Sequence, residues 1–154
     1  MFKEVRRQDR ILEEKDAMEI LKNGEYGVLS MVGENGYGYG VPMSYTLVDN
    51  SIYFHCAVEG FKLDSIQKNN NVSFCVVGKT QLLPEKFSTK YESSLVFGKA
   101  YEVIEEEKEK ALLSIIEKYS PEYLEAGAEY IKKAAHRTKV IKIVIEKVTG
   151  KTRK

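Results

Sequence analysis

The chain has 154 residues, 43% hydrophobic, 31% charged and 10% aromatic, which excludes a disordered chain and gives a single domain over 1–154 enough apolar material for a core. Lys and Arg number 24 against 23 Asp and Glu, a formal net charge of +1. No general attraction to nucleic acid or an anionic membrane follows, so any anion site must be local.

Cys56 and Cys75 lie in apolar runs, with no C-x-x-C and no Cys/His cluster. They suit neither a secreted disulfide scaffold nor a metal site and point to a reducing, cytoplasmic compartment. Residues 1–16 lack the apolar stretch of a signal peptide, and no uncharged run approaches the ~18 residues of a membrane span. The expectation is a soluble protein with no membrane and no nucleic-acid partner.

In chain order, Ala17, Ile20 and Leu21 fall at i, i+3, i+4 with Gly24 beyond them, which predicts a helix over 14–22. From Tyr26 the pattern becomes β: YGVLSMV, a Gly-Glu-Asn-Gly turn at 33–36, YGYGVPMSYTLV, Asp49-Asn50, then SIYFHC. Three runs joined by such turns predict an antiparallel meander. Within SIYFHC, Ile52, Phe54 and Cys56 alternate with Ser51, Tyr53 and His55, which assigns one set to the core and the other to a more polar side.

Leu63 and Ile66 predict a short helix after Glu59-Gly60, ended by Asn69-Asn70-Asn71 before the strand VSFCVVG. Residues 78–90 read as a loop through Pro84, and 91–104 as a long strand with a bulge at Gly98. The acidic start Glu105–Glu107 suits the positive end of a helix carrying Leu112, Ile115, Ile116 and Tyr119 on one face. Pro121 opens a further helical stretch toward Ala135, and Ile141, Ile143 and Ile145 alternate with Lys142, Val144 and Glu146 in a closing strand. About six strands with peripheral helices predict an α+β protein whose sheet closes as a barrel.

Two segments offer chemistry. In Gly36–Tyr45 the glycines alternate with tyrosines and lead into a strand, so neither a dinucleotide fingerprint nor a P-loop is present. Pro42 cannot donate a ladder hydrogen bond, which marks an edge or a bulge and frees backbone of Val41, Met43 and Ser44 to face a ligand; the alternative is a strand merely twisted for closure. In His55–Asp64 a strand end, a glycine turn and a helix start fall within ten residues. Free amides, Gly60 and the Lys62 ammonium would together hold a phosphate, against the plainer reading of a solvated lysine on an ordinary helix. His55 by itself reads as a surface histidine, with no Ser/Asp or Cys/Asp partner pattern, and both cysteines read as packing residues.

Gly27-Val28-Leu29-Ser30, Tyr39–Tyr45, Ile52–Ala57 with Glu59–Asp64, Val72–Gly78, Pro84–Phe87, Tyr91-Glu92-Ser93, Val96-Phe97-Gly98 and Thr149-Gly150-Lys151, together with Arg6–Arg10, resemble the split-barrel flavoproteins related to pyridoxamine 5'-phosphate oxidase, of the nitroimidazole-resistance (Nim) type. The resemblance implies a six-stranded, mainly antiparallel split β-barrel with peripheral helices, and a homodimer whose two subunits line a cleft for noncovalent FMN. It sets Val41, Pro42, Met43, Ser44 and Tyr45 along the isoalloxazine, His55, Cys56 and Ala57 near the ring, and Gly60 and Lys62 at the phosphate, with His55 as the catalytic candidate. True pyridoxamine 5'-phosphate oxidases carry an Arg-rich phosphate motif; beyond Arg10 only Arg137 and Arg153 occur here, so vitamin B6 oxidation is not the expected activity. The implied function is an FMN-dependent oxidoreductase acting on nitroaromatic, 5-nitroimidazole-like, or other small electron acceptors. The alternative is a noncatalytic flavin-binding, storage or sensor protein.

Overall fold

The period-two runs of the sequence assemble into one antiparallel sheet in the computed structural model, which describes residues 1–154. The elements are β1 (Ile11–Leu12), α1 (Glu14–Asn23), β2 (Gly27–Val32), β3 (Gly38–Met43), β4 (Thr46–Val48), β5 (Ser51–Ala57), α2 (Phe61–Lys68), β6 (Asn71–Leu83), β7 (Ser88–Val103), α3 (Glu105–Tyr119), α4 (Leu124–Ala134) and β8 (Thr138–Arg153). Strand order is β3-β2-β6-β7-β8-β5-β4, with β1 added to β8. The fold is an α+β split barrel. It has eight strands where the sequence predicts six, because the two-residue β1 and three-residue β4 are too short to show a period. The hydrogen-bonded path is open, ending at β3 on one side and β4 on the other.

The curled sheet wraps one apolar cluster that includes Leu29, Ile52, Phe54, Phe74, Val96 and Ile143. Ala17 and Leu21 bring α1 onto it at one end, where a β-carbon on Gly150 would lie 2.8 Å from that of Ala17. Ile66 brings α2 onto it at the other. A second cluster, with Tyr53, Val103, Val140, Leu112 and Ile131, seats α3 and α4 on the outside of β5, β7 and β8. Tyr53 is therefore buried, not on a polar side: its hydroxyl donates to Glu107 at 2.7 Å, and Lys142 donates to the same carboxylate at 2.9 Å. The bulge falls at Gly98, where the β7–β8 register shifts and a side chain would strike the Val144 carbonyl.

Two further expectations are corrected. Residues 78–90 form no loop: β6 and β7 pair through Leu83↔Ser88, and Pro84–Lys86 with left-handed Phe87 (φ 49°) make the turn. Nor does a three-strand meander form. The hairpins β2–β3 and β4–β5 occur, but the middle run breaks at Ser44-Tyr45 into β3 and β4, so no single strand lies between β2 and β5.

At Tyr45 the backbone finds side-chain partners from α3 instead of a strand. Its N–H donates to the Tyr119 hydroxyl at 2.9 Å, and its carbonyl accepts from Lys118 Nζ at 2.9 Å. The Tyr119 hydroxyl points in turn to the Glu25 carbonyl at 2.5 Å. The Tyr45 ring is fully buried, edge-on to Phe74, and its hydroxyl donates to the Leu21 carbonyl at the last turn of α1. Lys118 Nζ lies 3.7 Å from the ring centroid, and burial lowers its pKa to about 8.

Tyr45→Phe leaves the Leu21 carbonyl buried without its donor and is expected to cost about 1–3 kcal/mol. Urea titration should show a lower midpoint with an unchanged slope.

Candidate functional site

The site grows from the edge where the barrel fails to close. β3 bonds only to β2, and its alternation turns Tyr39, Val41 and Met43 toward the core while Gly38, Gly40 and Pro42 are exposed. Two glycines and a proline leave that exposed side without bulk, so a planar molecule can approach the backbone closely. Ser44 continues the exposed line. Tyr45 does not: it is core, with both backbone groups engaged by α3, and its place is structural.

Across the opening, β5 ends with His55 and Ala57 exposed and Cys56 half-buried. Gly60 follows at φ +146°, a conformation that side chains resist, and a β-carbon there would meet nothing within 4 Å. The constraint is thus the backbone turn, and the space beside it is free. The first bond into α2 runs from Asp64 N–H to the Gly60 carbonyl at 3.1 Å, with no side-chain cap, so the amides of Phe61, Lys62 and Leu63 are unpaired. Lys62 is half-buried, its Nζ 5.9 Å from the Phe54 ring centroid. Three free amides, an ammonium and open space make a cradle whose donor set fits a phosphate.

Contacts on both flanks hold α2, one at its start and two further along it. Phe61 meets Tyr39 of β3 edge to face, centroids 4.9 Å apart, which ties the cradle to the open strand. On the other flank Glu34 N–H donates to Ser65 Oγ at 3.0 Å, and Lys68 Nζ approaches the Glu34 carbonyl at 3.4 Å.

Desolvation, and then the Lys62 charge, hold the His55 pKa below its ordinary value. Desolvation pushes the Cys56 thiol up, opposed in part by Lys62 and Lys139, and pushes Cys75 up as well. At neutral pH the site presents a neutral imidazole and no thiolate.

The structure thus gathers His55, Cys56, Ala57, Gly60 and Lys62 at one strand-turn-helix junction, and joins Val41, Pro42 and Met43 to it through the Tyr39–Phe61 contact. Sequence reasoning missed that aromatic pair, although Phe61 directly follows the turn glycine. It also missed Lys139, which stands across the ladder from Cys56 and depends on a β5–β8 register that no local pattern reveals.

The profile of the pyridoxamine 5'-phosphate oxidase family matches residues 13–152. No curated protein sequence is significantly similar to the chain. Among solved structures, a provisionally assigned 5-nitroimidazole antibiotic resistance protein of Bacteroides thetaiotaomicron is 24% identical over 92% of this chain and 85% of its own, with a TM-score of 0.75. A conserved hypothetical protein of Mycobacterium tuberculosis is 17% identical over 97% of this chain and 90% of its own, TM-score 0.82. A protein of Mesorhizobium loti described as FAD-binding is 20% identical over 94% and 98%, TM-score 0.67. These likenesses agree with the split barrel, and on the strength of the family profile the chain belongs to the pyridoxamine 5'-phosphate oxidase family.

Proposed function

We propose that this protein is a flavin-dependent oxidoreductase that holds FMN, works as a homodimer, and reduces nitroaromatic compounds or other small electron acceptors. The observation that carries the reading is the phosphate cradle of Gly60, the α2 amides and Lys62, fixed beside the open strand β3. Family membership and the solved relatives described as a nitroimidazole resistance protein and as FAD-binding support it.

A bound flavin supplies the electron transfer itself. The chain's part is placement: Lys62 and the helix amides take the phosphate, and the exposed backbone of Gly40–Ser44 borders the ring. His55, neutral at pH 7, offers a hydrogen bond at the ring's edge. No helix is long and apolar enough to cross a membrane.

The dimer reading rests on the outer face of the sheet. Val28, Ser30 and Val32 of β2, Ser73, Cys75 and Val77 of β6, and Ser93, Leu95 and Phe97 of β7 alternate outward and carry no charge. The N-terminal segment covers this face only in part, with Phe2 stacked on Phe97 at 5.1 Å. An extended uncharged face of this kind suits a self-complementary interface. Leu95→Glu should shift the protein from dimer to monomer in light scattering; a wild-type monomer fully loaded with flavin would contradict the assembly.

FMN should bind more tightly than riboflavin, and Lys62→Ala should weaken FMN by about 1.5–3 kcal/mol, the range for a hydrogen bond to a charged group. Equal affinity for the two flavins would remove the cradle from the site. His55→Ala should keep FMN occupancy but change anaerobic nitro-compound reduction per bound flavin; a loaded protein with no turnover on any acceptor would favour the binding-only alternative.

The His55 midpoint, followed by NMR, should fall below 6.5 and rise in Lys62→Met, since that change removes a neighbouring positive charge. The sign for stability follows from the lowered folded value. As pH falls below about 6.5 the unfolded chain takes up the proton first. His55 therefore subtracts stability from there down to its folded midpoint and has no effect above.

A further inference from the structure

A second opening lies where β3 leaves the sheet. The end of α1, Ser44 and the last turn of α3 enclose an open cavity of about 640 Å³ that shares no lining residue with the α2 cradle. A volume of this order is in the range of small-molecule sites. Donors converge on it from three parts of the chain: Lys22 and Asn23 from α1, the exposed Ser44 hydroxyl, and Lys118 from α3. Tyr26, just beyond α1, and Tyr119 of α3 border it with exposed aromatic rings.

Lys118 is half-buried and poorly satisfied. The Tyr45 carbonyl takes one of its three N–H groups at 2.9 Å, and the ring centroids of Tyr45 and Tyr119 lie 3.7 and 5.2 Å from Nζ. No carboxylate pairs with it, and none pairs with Lys22. Its lowered pKa, about 8, is the work of desolvation with no anion to offset it. A cation taken partly out of water and given a single neutral acceptor gains from an anion placed on its open side, and that side is the cavity.

Glu25 is the one carboxylate that lines the cavity. It pairs with neither lysine, and its backbone is tied back by the Tyr119 hydroxyl on its carbonyl. Two ammonium groups against one carboxylate leave a surplus of one positive charge, which suits a monoanion better than a phosphate dianion. The two exposed rings suit a flat apolar body behind the charge.

We infer that this cavity binds a small aromatic carboxylic acid, with the carboxylate held by Lys118, Lys22, Ser44 and Asn23 and the ring lying beside Tyr26 and Tyr119. Its occupancy does not depend on what the cradle holds.

The test titrates benzoate, and benzamide as its uncharged counterpart, into the full-length protein and follows the Lys118 side chain by NMR through its titration. The other titratable groups around that ammonium are Lys22, Glu25 and the phenols of Tyr26, Tyr45 and Tyr119. Saturating benzoate should raise the Lys118 midpoint from its free value of about 8, because a bound anion favours the charged form. Benzamide should bind about tenfold more weakly or worse. Lys118→Met would also strip the Tyr45 carbonyl of a donor, so the mutational test uses Lys22→Met and Ser44→Ala, which leave that bond in place. Each should weaken benzoate about three- to tenfold, the effect of one lost hydrogen bond, while Glu25→Gln should tighten it. Equal affinity for benzoate and benzamide, an unmoved Lys118 midpoint, or unchanged benzoate affinity in both variants overturns the site. A ligand-free Lys118 midpoint that drops by about one unit or more in Glu25→Gln also overturns it, since Glu25 would then be the counterion that the cavity is inferred to await.

Discussion

The open cleft depends on the removal of one residue's backbone from the sheet. Between β3 and β4 the chain has a two-residue connection, Ser44-Tyr45, with strand-forming sequence on both sides. Tyr45 could in principle extend either strand, but its N–H and carbonyl are met by Tyr119 and Lys118 of α3 and its hydroxyl by the end of α1. Every polar group that would otherwise demand a strand partner is satisfied in this way. Once it is, β3 stays with β2, β4 turns back to β5, and the two edges cannot zip. At this corner a helix supplies the hydrogen bonds that a strand would.

That arrangement links parts of the molecule far apart in sequence. The last turn of α3 holds the Tyr45 corner, while its first turn, through Glu107, takes Tyr53 and Lys142 from the outside of β5 and β8. The helix thus fixes β5 at one end and the origin of β4 at the other, and β5 delivers His55, Cys56 and Ala57 to the cleft. On the inner side α2 fills the end of the barrel, so the rigidity of its first turn is inherited from Tyr39 and Ser65. A site on a helix start is only as well placed as that start. Here the start itself is held by the Phe61–Tyr39 contact, and the helix behind it by the Glu34 bonds with Ser65 and Lys68.

Local pattern carried much of this fold into the sequence. Alternation in YGVLSMV, SIYFHC and TKVIKIVIEKV marked strands, and the turn glycine followed by FKLDSIQK marked α2. Pro42 marked an edge before any partner was known, since a residue with no N–H has no place between two strands. What stayed hidden depends on long-range partners. The polarity of Tyr53 suggested an exposed side, and only the docking of α3 shows why it is buried. The 78–90 segment looked like a loop because Pro84 and scattered charges hide a hairpin whose register is set across the turn. The cradle was legible since its parts fall within ten residues; Lys139 and the Tyr39–Phe61 pair were not, since both depend on which strand lies beside which.

The charge states at the cleft decide what the protein's own groups can contribute. Burial raises the pKa of the Cys56 and Cys75 thiols, and partial desolvation with the nearby Lys62 charge lowers that of the solvent-accessible His55 imidazole, so the junction has no ionised nucleophile and no strong general acid at pH 7. What it does have is cation and amide donors on one side and an accessible backbone edge on the other. Those groups bind and orient; they do not transfer electrons or break bonds by themselves. In a chain with almost no net charge, the unpaired amides at the start of α2 and the Lys62 ammonium are donors local to one strand-turn-helix junction. Under the proposed function, an anion anchored at Lys62 fixes where the rest of the bound molecule lies, so the placement of that lysine would bear on reactivity as well as on affinity.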